Sequence, residues 1–297
     1  VLTHFASWRA IFWLNVLLMS AAIAGMASAG LATPSAHSAK SRRADWIGFV
    51  LLAVLMVSLV FGLHALPHAR TAPLSTIVPF ALAAIALVLL LNVESRHEAP
   101  LVDLGFFTRR GFVMGVTIGS LAMFSIISLL LYFNLYAQSQ DGLGLTALEA
   151  GAALLPLSAA QLALALSAPA VAKRVGLRNA MTGGMALIAI ACAIVGMTVA
   201  GHGGMVLLTV GFLAMGAGLA VPYALAPRLA LSALSPAQVG QGSGIVNACT
   251  FLGGSAGVAG GATALALGGF PAVLTMIAIA GIAGAVLSRS IAEPPPR

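Results

Sequence analysis

The side chains able to move protons in this chain are seven carboxylates: Asp45, Glu94, Glu98, Asp103, Asp141, Glu149 and Glu293. All flank or separate long apolar runs. Proton-coupled work inside a membrane needs a titratable group on the path, with its pKa raised by burial, and none of the seven holds such a position. His64 and His68 are spaced i, i+4 and can share one helix face, but two ligands do not make a metal site, and Pro67 interrupts the helix between them. Cys192 and Cys249 both fall inside apolar runs without metal-ligand spacing, as small apolar residues rather than a disulfide. No nucleophile–base constellation, phosphate-cradling loop or metal cluster is present. The expectation is no enzyme, no cofactor and no metal.

What remains is a sparse set of polar side chains within apolar segments: Asn134, Tyr136, Gln161, Tyr223, Asn247 and Thr250. At membrane depth such groups face protein or a water-filled cavity. One reading is a substrate cavity with mostly apolar walls and few hydrogen-bonding groups. The other is a set of interhelical contacts, each worth about 0.6 kcal/mol.

The elements that position these residues follow from composition. The 297 residues are 60% hydrophobic and only 7% charged, against roughly 25% charged in a soluble domain. Such a chain cannot cover itself with a polar surface, so lipid is its solvent. The net charge of +7 forms neither a basic patch nor an aromatic-interleaved stripe, which excludes nucleic acid as the partner. No run has the basic start and small-residue cleavage site of a signal peptide. Nine runs are long enough to cross a bilayer as helices, which takes about 20 residues. They lie near Phe12–Leu31, Trp46–Leu66, Thr76–Val93, Phe112–Ala137, Ala147–Val171, Ala180–Ala200, Met205–Ala226, Val239–Leu267 and Ala272–Ile291. The fold class is an all-α polytopic membrane protein, since helices satisfy every backbone group within the segment.

Placing the connections alternately on two sides gives one side Lys40, Arg42, Arg43, Arg96, Arg109, Arg110, Lys173, Arg174, Arg178, Arg228, Arg289 and Arg297, and the other Arg9 and Arg70. The basic side is cytoplasmic, so the C-terminus is inside and the N-terminus outside. The longest polar interruption, Glu94–Gly111, is amphipathic: Leu101, Val102, Leu104, Phe106 and Phe107 alternate with Asp103, Thr108, Arg109 and Arg110. It reads as a segment lying in the membrane interface, or as a loop that dips into it. An odd number of helices and an opening Val1 lead us to expect a C-terminal portion of a longer protein.

Spacing also implies a repeat. Thr146, Glu149 and Gly151 at the start of the fifth run match Ser235, Gln238 and Gly240 at the start of the eighth. In each, the first and second members form a capping box. The first copy lies outside and the second inside, as expected for two three-helix units of opposite orientation. The eighth run is dense in small residues, including Gly240, Ser243, Gly244, Gly253, Gly254 and Gly257, which let helix backbones approach closely. Pro156, Pro222 and Pro227 can kink their helices.

Three segments carry a resemblance. The first helix opens with SWRAIFWLNV, similar to the W-R-W-I-F-x-I-N-x-P segment that opens the sixth helix of fourteen-helix drug/proton antiporters in the major facilitator superfamily; Ala10 stands at the second Trp and Leu17 at the Pro. Residues 169–178 resemble the superfamily's cytoplasmic motif G-x-L-A-D-R-x-G-R-R: Arg174, Gly176 and Arg178 match, Lys173 replaces the acid and Pro169 the leading Gly. Residues 239–257 resemble A-G-x-A-S-G-x-x-N-x-x-x-x-x-G-G-x-x-G through Gly240, Ser243, Gly244, Asn247, Gly253, Gly254 and Gly257.

The resemblance implies an efflux carrier that exchanges protons for drugs or other small amphipathic compounds by alternating access in the cell membrane. Residues 1–33 would be the last helix of an N-terminal bundle, 34–111 two linker helices with the interfacial segment, and 112–297 the six-helix transport bundle. The missing N-terminal bundle, the bilayer, protons and the substrate are the implied partners, and Lys173, Arg174, Gly176 and Arg178 a gating loop. The competing reading is a non-transporting membrane scaffold, or a subunit that needs a partner chain.

Overall fold

The computed structural model describes residues 9–28, 46–66, 69, 71–94 and 103–291. Among these residues all regular structure is helical. Helix α1, Arg9–Ser28, belongs to a first unit, Val1–Ala44; its apolar stretch is Phe12–Ser28. The second unit, Asp45–Arg297, holds everything else. Trp8, Lys40, Arg42, Arg43, Pro67, His68, Arg70, Arg96 and Glu98 lie outside the described residues, so the histidine pair and much of the charge alternation have no structural counterpart here.

Helices α2, Trp46–Ala65, and α3, Pro73–Glu94, form a hairpin. Their contact is made by Leu55, Ala83, Ala86 and Leu90, and the Thr76 hydroxyl donates to the Ala65 carbonyl at 3.0 Å. A short 3-10 turn, Leu104–Thr108, then leads into α4, Arg110–Gln138.

Helix α5, Ala147–Ala153, is separated from α6, Leu155–Val175, only by Leu154. Pro156 accounts for the break, because it lacks the N–H that would continue the ladder and its ring crowds the preceding turn. Helices α7, Leu177–Val199, and α8, Gly204–Ser232, follow. Helix α8 outruns the predicted end at Ala226 by more than a turn, with Pro222 and Pro227 inside it. Neighbouring helices and local adjustment let membrane helices keep such prolines.

Helix α9, Val239–Ser288, is interrupted by two residues with non-helical backbone: Gly268 (φ −159°, ψ 25°) and Gly269 (φ 66°, ψ −161°). The latter pair of angles is open essentially to glycine alone. The chain doubles back there: a Cβ at Gly260 would lie 3.0 Å from the Met276 sulfur, whereas a straight helix would hold the two about 24 Å apart. The interruption falls where the sequence places the boundary between its last two runs. In all, seven helices of the described residues are long and apolar enough to cross a membrane, this bent one included.

Helix α4 packs along the first limb of α9 (239–267), α7 along α8 and the second limb of α9 (270–288), and α6 along α8. Apolar burial cannot select these pairings when lipid is equally apolar; close backbone approach can. A Cβ at Gly115 would sit 2.5 Å from the Ala230 nitrogen, one at Gly216 would strike the Leu157 carbonyl, and one at Gly253 the Ser120 carbonyl. The fully buried Phe133 and Phe212 meet edge to face at 4.7 Å between α4 and α8, and Phe270 closes the group.

Candidate functional site

The six candidate polar residues are not one cluster. The Asn134 amide donates to the Leu130 carbonyl at 2.8 Å, and its side-chain oxygen accepts from Gln138 at 3.4 Å. The Thr250 hydroxyl donates to the Val246 carbonyl at 2.7 Å. Both sets of bonds stay within one helix. They satisfy the polar groups without joining helices, so the reading of these two as interhelical hydrogen-bonding contacts does not hold. Tyr136 stacks on Phe270, ring centroids 4.9 Å apart and nearly parallel, which ties the end of α4 to the second limb of α9. Gln161 is half-buried where α6 meets Gly216 of α8. Tyr223 and Asn247 are exposed on α8 and α9.

The bonds that do join helices involve other residues. Ser120 on α4 donates to the Cys249 carbonyl at 2.9 Å, and the Tyr132 hydroxyl donates to the Val258 carbonyl, both on the first limb of α9. Tyr132 carries a readable signal, since a buried phenol needs a partner; Ser120 carries none, because a membrane serine can equally bond its own helix, as Ser125 and Ser128 do.

The small residues of α9 divide into two groups. Gly253, Gly254 and Gly257 pack against α4. A Cβ at Gly240 or Gly244 would meet open space, and the Ser243 hydroxyl bonds only the Gly240 carbonyl of its own helix, at 2.7 Å. Among the described residues, Gly240 and Gly244 therefore pack on no other helix. Gly240, Gly244, Asn247 and Phe251, spaced i, i+4, i+7, i+11, share one exposed face of the limb, while the packing glycines lie along the side turned to α4.

Of the predicted gating residues, Lys173, Arg174 and Arg178 are exposed and Gly176 is half-buried. They do not form a loop. Gly176 alone separates α6 from α7, with φ 86° and ψ 149°, a conformation strained for any residue with a Cβ. Lys173 and Arg174 occupy the last turn of α6, where cations complement the helix dipole.

Both predicted capping boxes are present. The Glu149 carboxylate accepts from the Thr146 backbone at 2.8 Å, and the Gln138-to-Thr146 connection is closed by Leu145 N–H donating to the Ala137 carbonyl at 2.8 Å. Gln238 accepts from the Ser235 backbone at 3.3 Å.

The segment 103–109 departs from expectation. Phe106 is fully buried in the protein among Phe112, Val116, Ala230, Ile245 and Val246 rather than turned to lipid. Arg109 donates to the Ala233 carbonyl at 2.7 Å, and Asp103 accepts from Gln238 at 3.3 Å. Of the described apolar residues here, Leu104 and Phe107 are exposed, while Leu101 and Val102 lie outside the described residues. Amphipathic periodicity identifies an apolar side, but not whether lipid or protein covers it.

The sequence itself is similar to those of known proteins. The chain is 29% identical over 87% of its length to the tetracenomycin C resistance and export protein of Streptomyces glaucescens, covering 47% of that protein. It is 27% identical over 87% of its length to the lincomycin resistance protein of Streptomyces lincolnensis, covering 53%, and 26% identical over 85% to the multidrug resistance protein Stp of Mycobacterium tuberculosis, covering 46%. The chain thus spans about half the length of these relatives. The Major Facilitator Superfamily model matches residues 1–258. With its membrane-length helices packed through small residues and its polar groups sparse, this chain belongs to that superfamily of transporters.

Proposed function

We propose that the chain supplies the C-terminal part of an efflux transporter that exports drugs or other small amphipathic compounds in exchange for protons by alternating access. Residues 112–291 act as one rocking bundle, built from two inverted three-helix units. The matching capping boxes at Thr146 and Ser235 support that register. So do the paired contacts of α4 with the first limb of α9 and of α8 with α6.

The observation that carries the reading is the exposed face of α9. Asn247 is exposed in the middle of an apolar helix, on the same face as Gly240 and Gly244, where an added Cβ would meet no other helix among the described residues. A carboxamide at membrane depth faces protein or water, and glycines one turn apart admit a close second helix. A second bundle covering this face, with an aqueous cavity between the two, meets both requirements. Tyr223, also exposed, and Gln161 and Thr250, half-buried, supply further hydrogen-bonding groups to the apolar wall. Relatives named for antibiotic and multidrug resistance support the substrate class.

The test is export of a fluorescent amphipathic cation from cells that make the whole protein. We expect efflux that stops when a protonophore collapses the proton gradient, and that Asn247→Leu weakens while the amount of protein in the membrane is unchanged. Absence of efflux for a panel of such dyes would favour the scaffold or subunit reading instead.

A further inference from the structure

Residues 103–109 make more contacts than a connection requires, and they converge on one place. Asp103 Oδ1 accepts from Gly105 N at 2.8 Å, fixing the start of the 3-10 turn, and Oδ2 accepts from Gln238 Nε2 at 3.3 Å. The Gln238 amide oxygen meanwhile accepts from the Ser235 nitrogen at 3.3 Å and the Ser235 hydroxyl at 3.0 Å. One side chain thereby closes the cap of α9 and holds Asp103. Arg109 Nη1 donates at 2.7 Å to the carbonyl of Ala233, the residue that ends α8, and its guanidinium lies 5.8 Å from the Phe106 ring centre. Both polar contacts thus grip the short turn between α8 and α9.

Between them Phe106 is inserted, fully buried against residues of α4, α8 and α9. Leu52 of α2 packs against the same group, and α2 lies along α9. The hairpin therefore meets the bundle at Leu52, beside the group that holds Phe106. Helix α8 carries Pro227 about a turn before this end, so the backbone bond to the Tyr223 carbonyl is missing there.

We propose that residues 103–109 are a clasp that fastens the α2–α3 hairpin to the α8–α9 turn, so that the hairpin and the bundle move as one body. This rests on the reading of the bundle as a moving half of a transporter. The hairpin then travels with α8 and α9 instead of sliding past them, and the clasp stays closed through the cycle.

The experiment uses the whole protein in membrane vesicles with every native cysteine replaced, Cys192→Ala and Cys249→Ala among them, adding Asp103→Cys and Gln238→Cys. A short bifunctional thiosulfonate is the probe. The expected result is high cross-linking yield, the same with and without an imposed pH gradient and an amphipathic dye, and no loss of dye transport in the linked protein. A yield that falls under the gradient with dye, a poor yield throughout, or transport that stops on linking and returns on reduction would overturn the clasp. If neither linked nor unlinked protein transports, the exporter reading fails, and the yield still decides whether the clasp is closed. A second measurement avoids loss of the Gln238 cap. In the same cysteine-free background, maleimide labelling of Leu52→Cys should rise on adding Phe106→Ala and stay unchanged on adding Leu104→Ala. Equal labelling in both would contradict the inserted role of Phe106.

Discussion

Single atoms decide the packing of this bundle, and glycines show it most directly. At Gly253 a Cβ would strike the carbonyl of Ser120, a backbone atom that cannot rotate away. Overpacking of this kind costs about 1–3 kcal/mol. Gly253→Ala should therefore lower the thermal unfolding temperature of the detergent-solubilised protein more than Gly244→Ala, whose added methyl meets open space within the described residues. Equal effects would mean that the two faces of α9 are misassigned. The Tyr132 hydroxyl gives a smaller, opposite kind of test. Its bond to the Val258 carbonyl joins α4 to α9, and interhelical bonds in membranes average about 0.6 kcal/mol. Tyr132→Phe should thus cost little, a slight drop in unfolding temperature with the fold kept. A large loss would show that the phenol does more than join two helices.

At the scale of elements, backbone geometry at two glycines sets where helices stop. Gly269 folds α9 back on itself, and Gly176 makes the corner between α6 and α7. At Gly176, with φ 86°, a Cβ brings strain of order 1–3 kcal/mol. Gly176→Ala should lower the unfolding temperature, while Arg178→Ala, on the exposed start of α7, should lower it much less. If the two variants unfold alike, the corner is not under conformational constraint. These elements were readable to different degrees. The seven membrane-length helices of the described residues, both capping boxes and the break near Gly268 follow from hydropathy and spacing, because lipid and unsatisfied backbone groups impose them directly. The end of α8 was not readable: Pro227 looks like a terminator, and only the contact of Ala226 and Ala230 with Gly115 shows the helix continuing. Which side of each helix meets protein was hidden as well. Apolar residues line both sides, so Gly240 and Gly253 look equivalent in sequence and differ only once α4 is in place.

At the scale of the whole molecule, the described polar groups divide into satisfied and exposed ones. Its own core is closed by Phe133, Phe212 and Phe270, and Ser125, Ser128 and Ser288 bond carbonyls of their own helices. Asn247 and Tyr223 remain exposed on apolar helices. The proposed substrate-facing wall was only partly legible, since a lone Asn or Tyr in an apolar run has the same sequence signature whether it lines a cavity or bonds its own helix. Asn247 became informative through its exposure and Asn134 through its intrahelical bonds, neither of which spacing reveals. The measurement that bears most directly on the account is transport by the whole protein in liposomes with an imposed pH gradient. The account predicts that an amphipathic cation moves against the proton flow, stops when a protonophore is added, and moves more slowly with Asn247→Leu. Dye movement that ignores the pH gradient, or a gradient that drives no dye at all in properly inserted protein, would contradict it.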